Sequence, residues 1–493
     1  MTDLEYLKLG YFGKLRYNLI SFFKRLPGRL GGGIIKLLRM ILSIFVKLKD
    51  EAVDIVDTFI KGDWKTRLSF VVMGFGSCAR GQWLRGILFF LFQTVFNIYY
   101  LFFGGAYLAK MNTLGTIETT KEGRRTVYGD NSFFILLYGI LTIFFIFALI
   151  YTWRVNIRQN KIAQRILASG KRLKSSREDM ASLADDQFHK TLLALPMLGI
   201  FVFTVLPIIF MILVAFTNFD YTHQPPGKLF TWVGFENFHT LLSADNASYG
   251  NTFGQVLLWT LIWAFFATFL NYFLGMLVAI MINKKGIKLK KMWRTLLVMT
   301  IAIPQFISLL YVSKMFAADG LINSYLMKWG WISTPIPFWT NGAWARVTII
   351  VINLWIGIPY LMLIATGLLM NIPADLYESA RIDGASAFQM YKKITLPYML
   401  FVTGPYLLTS FIGNINNFNV IYLLSQGNPK SNMLTGNAGY TDLLITWLYK
   451  MTVNDTNYKV AAVIGILVFL ITAVINLVVY NLLPSVKNEE DFQ

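Results

Sequence analysis

The sequence predicts an all-α polytopic membrane protein with eight transmembrane helices. The chain has 493 residues, of which 55% are hydrophobic, 16% are aromatic and only 14% are charged. Long runs without charge recur from residue 87 to residue 482. A soluble chain of this length would instead divide into domains joined by polar linkers. The bilayer is therefore the solvent in which this chain is expected to fold.

Eight stretches meet the requirement of about 20 mostly apolar residues for a membrane-spanning helix. An even number of spans places both termini on one side of the membrane. The apolar segment 68–79 is short and is followed by Arg80 and Arg85, so we expect it to form a buried or interfacial helix. The eight spans are expected at residues 87–108, 133–153, 192–217, 253–283, 293–317, 346–370, 399–424 and 460–482.

The basic residues of the loops predict the orientation of the spans. Loop 154–190 carries nine Lys or Arg and loop 284–292 carries five, whereas loop 218–252 carries one and loop 425–459 carries three. Because cytoplasmic loops hold the excess of basic residues, the N- and C-termini are both expected in the cytoplasm. Loop 371–398 is then also cytoplasmic, and the chain is expected to be a multi-pass plasma membrane protein of a bacterium.

These assignments divide the chain into four regions. Residues 1–67 form a basic cytoplasmic or interfacial region with thirteen Lys or Arg. Within it, residues 34–49 are amphipathic and suited to lying on anionic lipid. Residues 68–190 hold the first two spans and a basic loop. Residues 191–484 hold the other six spans, and residues 485–493 form a cytoplasmic tail.

Composition argues against several function classes. A net charge of +19 would suggest nucleic-acid binding in a soluble protein, but here it reflects basic loops, so no nucleic-acid partner is expected. The single cysteine, Cys78, excludes a disulfide framework, and three histidines without a Cys or His cluster predict no metal site. The N-terminus lacks a short apolar run ending in small residues, so no removable signal peptide is expected.

The loop between the sixth and seventh spans reads NIPADLYESARIDGASAFQMYKKITLP and predicts two short helices. Pro373 suits a first helical turn, and Gly384 can end that helix in a left-handed conformation. Ser386 can cap a second helix that runs to about Ile394, before Pro397 enforces a break. This pattern alone is equally consistent with an ordinary helical hairpin between two spans.

The residues of this loop resemble the EAA signature of importer-type ATP-binding-cassette (ABC) permeases. That signature runs Glu-Ala-Ala, three residues, Gly, nine residues and Ile-x-Leu-Pro, and the one departure here is Ser379 in place of Ala. The matching residues are Glu378, Ala380, Gly384, Ile394, Leu396 and Pro397. The resemblance implies the type I ABC importer permease fold, with this loop as a coupling helix that docks into a cleft on a separate ATPase subunit.

Further expectations come with this resemblance. The implied partners are a second permease subunit in a heterodimer, two ABC ATPase subunits and an extracellular sugar-binding protein that delivers an oligosaccharide. The chain contains no G-x-x-x-x-G-K-[ST] sequence, so ATP and Mg are expected to be used by the partner ATPases, with no enzymatic activity and no cofactor in this chain. The ATPase-coupling residues are expected to be Leu376, Glu378, Ser379, Ala380, Asp383, Gly384, Ile394, Leu396 and Pro397.

A wider stretch is similar to the larger permease subunit of maltose and maltodextrin importers. The phrases NLWIGIPYLMLIATGLL, DLYESARIDGASAFQ, FIGNINNFNVIYLL and NAGYTDLL carry this similarity, which covers residues 190–482 well and the preceding residues more loosely. Outer loop 218–252 departs from the best-known members with eight spans, in which it forms a sizeable domain that grips the binding protein. A different docking arrangement is therefore expected, with loop 425–459 as a second candidate contact.

Two spans carry polar side chains near the middle of the membrane, where such groups are costly unless they face the interior of the helix bundle. Both sets have the helical spacing i, i+4, i+7 and predict a stripe on one helix face. Helix packing is the alternative explanation, and we favour it for Asn416 and Asn419. The stripes are Asn353, Gly357 and Tyr360, with Ile356 beside them, and Ser410, Asn414 and Asn417, with Gly413 beside them.

Amides, a hydroxyl and a tyrosine ring are uncharged groups suited to a neutral sugar. The resemblance implies that all eight of these positions bind substrate, although Gly413 stands where the best-known pattern has an aromatic ring. Maltose or maltodextrins are the expected substrates, with galacto-oligosaccharides or another glycoside as the alternative. A secondary sugar transporter or a membrane glycosyltransferase is a remote alternative, because residues 347–370 and 399–424 contain no charged or histidine residue and no Asp-x-Asp occurs.

Overall fold

A computed structural model describes residues 45–122, 124–243, 249–284 and 286–483, together with eight isolated positions before residue 45. The basic stretch predicted to lie on lipid at residues 34–49 falls partly outside the described residues, at 34–38, 41 and 44. The chain divides into two compact units, Gly28–Phe235 and Met1–Pro27 with Glu236–Gln493.

The first unit is helical apart from one hairpin on a loop. Three helices precede the first long membrane helix, and two more long helices follow it. Its elements are α1 (45–61), α2 (Trp64–Leu68), α3 (Phe75–Cys78), α4 (Trp83–Lys110), the antiparallel strands β1 (Thr120–Glu122) and β2 (Arg125–Val127), α5 (Ser132–Ala168), α6 (Ser176–Ala184) and α7 (Phe188–Val214).

The second unit consists of long helices with shorter helices in the loops. Its elements are α8 (Glu236–Leu242), α9 (Tyr249–Asn283), α10 (Lys290–Ala302), α11 (Gln305–Met315), α12 (Leu321–Lys328), α13 (Gly342–Leu369), α14 (Ala374–Ile382), α15 (Ala387–Ile415), α16 (Phe418–Leu424), α17 (Leu444–Val453) and α18 (Tyr458–Leu482).

Seven helices of the described residues are long and apolar enough to cross a membrane, or eight if one bent pair forms a single span. The all-α polytopic prediction is therefore confirmed, and seven of the predicted spans correspond to long helices. The predicted fifth span, residues 293–317, is instead α10 and α11, which meet at an angle of 92°. Pro304 explains the break, because the residue before a proline is pushed out of the helical region, and Ile303 is extended.

The prediction of one helix at residues 68–79 is wrong. This segment contains a turn between α2 and α3, in which Gly74 adopts a left-handed φ of 83°. The side chain of Arg80 is 1% exposed and contacts Asp63 at 2.5 Å, and it also donates to Asn160 at 2.6 Å. Satisfying a buried guanidinium requires several acceptors, and the folded turn supplies them where a straight helix would not.

Pro397 does not break the chain, contrary to the prediction. The helix that Ser386 caps continues as α15 through a π turn at Tyr391–Thr395. Proline removes a backbone donor and its ring crowds the carbonyl four residues earlier, and the wider π turn directly before Pro397 accommodates both effects. The loop is therefore joined to the membrane by a continuous helix.

The predicted span 399–424 is also not one helix. Helix α15 ends at Ile415, and α16 begins at Phe418 after two non-helical residues. The break falls at Asn416 and Asn417, and the Asn417 side chain caps α16 by accepting from the Val420 N–H at 3.3 Å. Asparagine side chains compete with the backbone ladder in this way.

The helices around this break pack on a core of large side chains. Trp263, Ile352 and Ile421 come from α9, α13 and α16, and each is at most 3% exposed. In a membrane such packing stabilises helix contacts by van der Waals interactions rather than by exclusion of water. The core holds the three polar helices together at the position of the predicted substrate path.

Candidate functional site

The first predicted stripe lies on one uninterrupted helix. Asn353, Gly357 and Tyr360 belong to α13, so their spacing places them on one face. Asn353 is 6% exposed, whereas the ring of Tyr360 is 51% exposed. The stripe therefore leads from the interior of this unit to an open surface.

The second stripe is interrupted by the break between α15 and α16. Ser410 and Asn414 lie on α15, but Asn417 lies beyond the end of that helix, so the predicted i, i+4, i+7 face is wrong for Asn417. The three residues still form a local group, because the Asn417 Nδ2 donates to the Asn414 Oδ1 at 3.3 Å. The capping bond of Asn417 fixes the direction of its side chain.

Asn414 is joined to α9 by two hydrogen bonds. Its Nδ2 donates to the Thr268 Oγ1 at 2.9 Å, and its carbonyl accepts from the Trp263 Nε1 at 3.1 Å. Thr268 is 1% exposed and Trp263 is fully buried. Thr268 lies in a π turn, Phe266–Leu270, which is a feature often found at functional sites.

Asn271 connects the same turn to the first stripe. A Cβ added at Gly357 would lie 2.5 Å from the Asn271 Nδ2, so this glycine permits the close approach. Asn271 is 4% exposed and donates to the Ala267 carbonyl at 2.8 Å, but its Oδ1 has no hydrogen-bond partner within the described residues. A free acceptor is therefore buried beside Gly357.

Sequence reasoning missed Thr268 and Asn271. They lie in the predicted span 253–283, which is otherwise apolar around them. The criterion that selected the two stripes, polar side chains at mid-membrane depth, would have selected these residues if it had been applied to this span.

Sequence reasoning also missed Tyr406, which lies near one residue of each stripe. Its side chain lies close to Ser410 and to Tyr360. Tyr406 is half-buried and stands one turn before Ser410 on α15. Two tyrosines and one serine thus border the polar group of Asn414 and Thr268.

A cavity of about 340 Å³ opens beside Tyr360 and Ile356. One wall is the break between α10 and α11, including Ile303 and Pro304, and another is the ring of Trp355. Trp355 is 47% exposed. The cavity therefore combines an aromatic surface with polar side chains; its other lining residues are Thr300, Ile301, Ala302, Gln305 and Ser308.

Gly413 of the predicted path and two asparagines predicted to pack helices together lie on open surfaces. Gly413 is exposed, and a Cβ built on it meets no atom within 4 Å. Asn416 and Asn419 are also exposed, and the Asn416 amide donates to the Ile412 carbonyl of its own helix at 3.3 Å. Within the described part of this chain, neither asparagine joins two helices, contrary to the packing interpretation.

The predicted coupling loop forms helix α14 and an exposed turn. Gly384 adopts a left-handed φ of 77°, and Ser386 makes a reciprocal capping box with Gln389, so both predictions are confirmed. Pro373 is the N-cap of α14 rather than part of its first turn. Among the coupling residues Leu376, Glu378, Ser379, Asp383 and Gly384 are exposed, whereas Ala380, Ile394, Leu396 and Pro397 are partly buried.

Two exposed apolar residues extend this surface beyond the predicted set. Ile382 is 86% exposed and Phe388 is 71% exposed, and Leu376 beside them is 49% exposed. Three large apolar side chains on one short loop are typical of an interaction surface. The sequence contained a signal for both residues, because each is a large apolar residue in a loop that was predicted to face water.

Helix α14 is attached to α15 by a side-chain hydrogen bond. The Tyr377 hydroxyl lies 2.8 Å from the Thr395 Oγ1, and Thr395 is the last residue of the π turn in α15. Ser410 and Asn414 lie farther along the same helix. One continuous helix therefore connects the exposed loop to the polar group.

Loop 425–459, predicted to lie outside, is held by a buried ion pair. Lys450 Nζ lies 2.6 Å from Asp442 Oδ2, and the two side chains are 9% and 0% exposed. Burial raises the pKa of the Asp442 carboxyl, while Lys450 and the Gly439 N–H oppose that rise. The Gly439 N–H donates to the same carboxyl oxygen at 2.7 Å, so this loop has a fixed shape.

Comparison with protein families and known proteins identifies relatives of the whole chain. Residues 271–488 match the family described as binding-protein-dependent transport system inner membrane component. This match contains both predicted stripes and the coupling loop, whereas Thr268 lies just before it.

Two relatives come from Bacillus subtilis (strain 168). The galactooligosaccharides transport system permease protein GanP is 34% identical over 85% of this chain and 97% of its own length. The maltodextrin transport system permease protein MdxF is 33% identical over 88% of this chain and 98% of its own length.

Among solved structures, the chain is similar to the crystal structure of a bacterial ABC transporter involved in the import of the acidic polysaccharide alginate. The TM-score is 0.47 and the sequence identity is 22%. The similarity covers 61% of this chain and 96% of that chain. The identities and coverage of the two relatives establish the family. This chain is a multi-pass membrane protein and belongs to the binding-protein-dependent transport system inner membrane components, as a permease of the ABC sugar importer type.

Proposed function

We propose that this chain forms one half of the membrane pathway of an importer for neutral oligosaccharides, with maltose and maltodextrins as its substrates. The observation that carries the proposal is the uncharged polar group of Asn414, Thr268 and Asn271 beside the tyrosines of α13 and α15. Amide and hydroxyl groups can donate to and accept from sugar hydroxyls, and exposed rings can stack on sugar faces.

The substrate-binding residues predicted from the sequence keep this role in the proposal, with one change in how they act. Asn353 is buried, so it would hold the contacting residues in place without touching the sugar. Tyr360, Gly413 and Ser410 are more exposed and would be able to contact it. Asn271 supplies an acceptor that no described group occupies. The contacting set that we propose is Ile356, Gly357, Tyr360, Ser410, Gly413, Asn414 and Asn417, with Asn353, Thr268 and Asn271 behind it.

A second permease subunit would complete this pathway as a heterodimer. Tyr360 and Trp355 are about half exposed in this chain, although they border the polar path. Exposed aromatic rings inside a membrane pathway fit a binding site shared with a facing subunit.

ATP is expected to act through two separate ABC ATPase subunits, with Mg bound there and not in this chain. Leu376, Ile382 and Phe388 form the apolar surface that would enter a cleft on an ATPase, and Glu378 and Arg381 would make charged contacts at its rim. Movement of the docked loop would pass through the Tyr377–Thr395 bond to α15. Alternating exposure of the site to the two sides follows from such rigid-body motion.

An extracellular sugar-binding protein is the expected source of substrate. The loop that Asp442 and Lys450 hold in shape is the candidate contact, because a fixed loop loses little conformational entropy on binding. Loop 218–252 would contribute a smaller contact.

Galacto-oligosaccharides are the second candidate substrate. The observation that favours them is the 34% identity to GanP over 97% of that protein, which is close to the 33% identity to MdxF over 98% of that protein. Proton-coupled transport is disfavoured, because residues 347–370 and 399–424 contain no acidic, basic or histidine residue.

The proposal is tested by uptake of labelled maltotetraose and labelled galactotetraose in cells that lack this gene. Complementation with the wild-type gene should restore uptake of maltotetraose, and uptake should stop when the cells are depleted of ATP. Restoration of galactotetraose uptake alone would favour the second candidate, and restoration of neither would contradict the proposal.

A further inference from the structure

A polar groove in the first unit is not explained by transport of sugar. It has a volume of about 540 Å³ and lies between α1 and the charged end of α5. Four basic side chains of α5 line it, and their spacing of i, i+4, i+7, i+11 places them on one helix face. They are Arg154, Arg158, Lys161 and Arg165.

Only two of the four cations are neutralised by α1. Arg154 pairs with Glu51, and Lys161 pairs with Asp54. The side chains of Arg158 and Arg165 are exposed and make no ion pair with any described residue. The groove therefore has four basic and two acidic side chains, which leaves a net charge of about +2 for an anionic ligand.

The position of the groove along α5 matches the depth of lipid headgroups. The apolar part of this helix ends at Ile150, and Tyr151 and Trp153 follow, as expected at a membrane interface. Arg158 is five residues past Trp153, or about 7 Å along the axis, which is comparable to the thickness of the headgroup region. Arg165 lies twelve residues past Trp153, or about 18 Å along the axis, so its side chain would have to reach back toward the headgroups, which is the direction in which helical side chains tilt.

Helix α1 presents an apolar face on the side that points away from the groove. Its exposed apolar side chains fall within one sector of the helix, opposite the sector that carries Glu51 and Asp54. This apolar sector is suited to lying on the acyl region of a membrane, while the opposite sector borders the groove. The exposed residues are Phe45, Val46, Leu48, Val53, Val56, Phe59 and Ile60.

We propose that this groove binds the phosphate of an anionic phospholipid, with Arg158 and Arg165 as the two cations that contact it. The paired residues Arg154 and Lys161 hold α1 against α5 and keep the groove open. Guanidinium groups suit this role because they bind phosphate oxygens in a bidentate manner. The bound lipid would fix the N-terminal region at the membrane surface.

Native mass spectrometry of the purified transporter, incubated with phosphatidylglycerol or phosphatidylcholine vesicles, tests the proposal. The wild-type protein should retain phosphatidylglycerol in preference to phosphatidylcholine, and retention should fall as salt concentration rises. The double variant Arg158→Gln/Arg165→Gln should lower phosphatidylglycerol affinity roughly 30-fold, since each basic group near an anionic surface contributes about 1 kcal/mol.

The matched control is Lys171→Gln/Arg177→Gln, which removes two exposed cations outside the groove and should retain the lipid. A second variant, Arg158→Lys/Arg165→Lys, keeps the charge and should lose less affinity than the glutamine variant. Equal loss in the groove and control variants would overturn the proposal, as would salt-independent retention. Displacement of phosphatidylglycerol by millimolar inorganic phosphate would also overturn it, because the groove would then recognise free phosphate.

Discussion

The hydroxyl of Tyr377 lies 2.8 Å from the Oγ1 of Thr395. This hydrogen bond joins the exposed helix α14 to the long helix α15, which carries Ser410 and Asn414 toward its other end. The π turn at Tyr391–Thr395 keeps α15 continuous through Pro397. The loop and the polar group thus lie toward the two ends of one continuous helix, and a force on the loop has a direct route to the site.

Removing this hydrogen bond should weaken coupling. Tyr377→Phe deletes only the hydroxyl, and a hydrogen bond of this kind contributes about 0.5–1.5 kcal/mol, so ATP-driven uptake should fall about two- to tenfold while membrane insertion stays normal. Thr395→Val should have a similar effect, and the double variant should be no worse than either. Tyr325→Phe, on an exposed tyrosine of α12, is the control. Additive losses in the double variant would show that the bond is not the route.

Gly384 should be the least replaceable residue of the coupling loop. Its φ is 77° and a Cβ there meets no atom within 4 Å, so Gly384→Ala is opposed by backbone strain of about 1–2 kcal/mol and not by a clash. Uptake should fall in proportion to this strain. Gly384→Asn should reduce uptake less, because asparagine also adopts the left-handed conformation at helix ends. Gly367→Ala also meets open space but lies within helix α13, so it should leave uptake intact. Equal uptake in both alanine variants would remove the strain argument.

The contact between Thr268 and Asn414 should be required for substrate binding. Thr268→Val keeps the shape of the side chain but removes the hydroxyl that accepts from the Asn414 Nδ2. The freed amide should reorient, and the sugar concentration for half-maximal uptake should rise about fivefold or more. Asn414→Ala and Tyr360→Ala should be at least as severe, whereas the exposed Asn419→Ala should be mild. The same result for all four variants would contradict the assignment of Thr268, Asn414 and Tyr360 to the substrate site.

Gly413 offers a test of how substrate is selected. The open space around it should accept Gly413→Phe without loss of expression, and the added ring would supply a stacking surface for sugar. A gain of about 1 kcal/mol should lower the half-saturating concentration of maltodextrin about fivefold. The control is Gly254→Phe, on a helix position that is also open. An unchanged substrate profile in both variants would place Gly413 outside the path.

The stability of loop 425–459 should depend on both members of its ion pair. Asp442→Asn leaves the ammonium of Lys450 buried without a counter-charge, and breaking a buried pair costs about 3–5 kcal/mol, so the thermal stability of the purified protein should fall sharply. Lys450→Met should be similar. The double variant should be more stable than the sum of the single losses, because no unpaired charge remains. Strict additivity would show that the two charges do not stabilise each other.

The sequence predicts the long helices because their signal is length and composition. Seven spans and the capped, left-handed turn at Gly384 follow from patterns that are local along the chain. The breaks at Pro304 and at Asn416 and Asn417 are local too, but their residues lie inside apolar runs that satisfy the length requirement. Hydropathy averages over a window, so it does not register a single residue that leaves the helix.

Contacts between helices explain why the candidate site was only partly predicted. The periodicity of α13 places Asn353, Gly357 and Tyr360 on one face, but it cannot show that Asn271 fills the space beside Gly357. The pairing of Asn414 with Thr268 joins residues 146 positions apart. Such pairs depend on which helix faces pack together, and helix periodicity within one segment does not specify its neighbour.

The measurement that tests the central claim most directly is the initial rate of labelled maltotetraose uptake in cells that lack this gene, complemented with the wild type, Tyr360→Ala or Gly384→Ala. The account predicts ATP-dependent uptake with the wild type, a higher half-saturating concentration with Tyr360→Ala, and a lower maximal rate with Gly384→Ala at equal membrane levels of protein. Wild-type rates of maltotetraose uptake in both variants would contradict it.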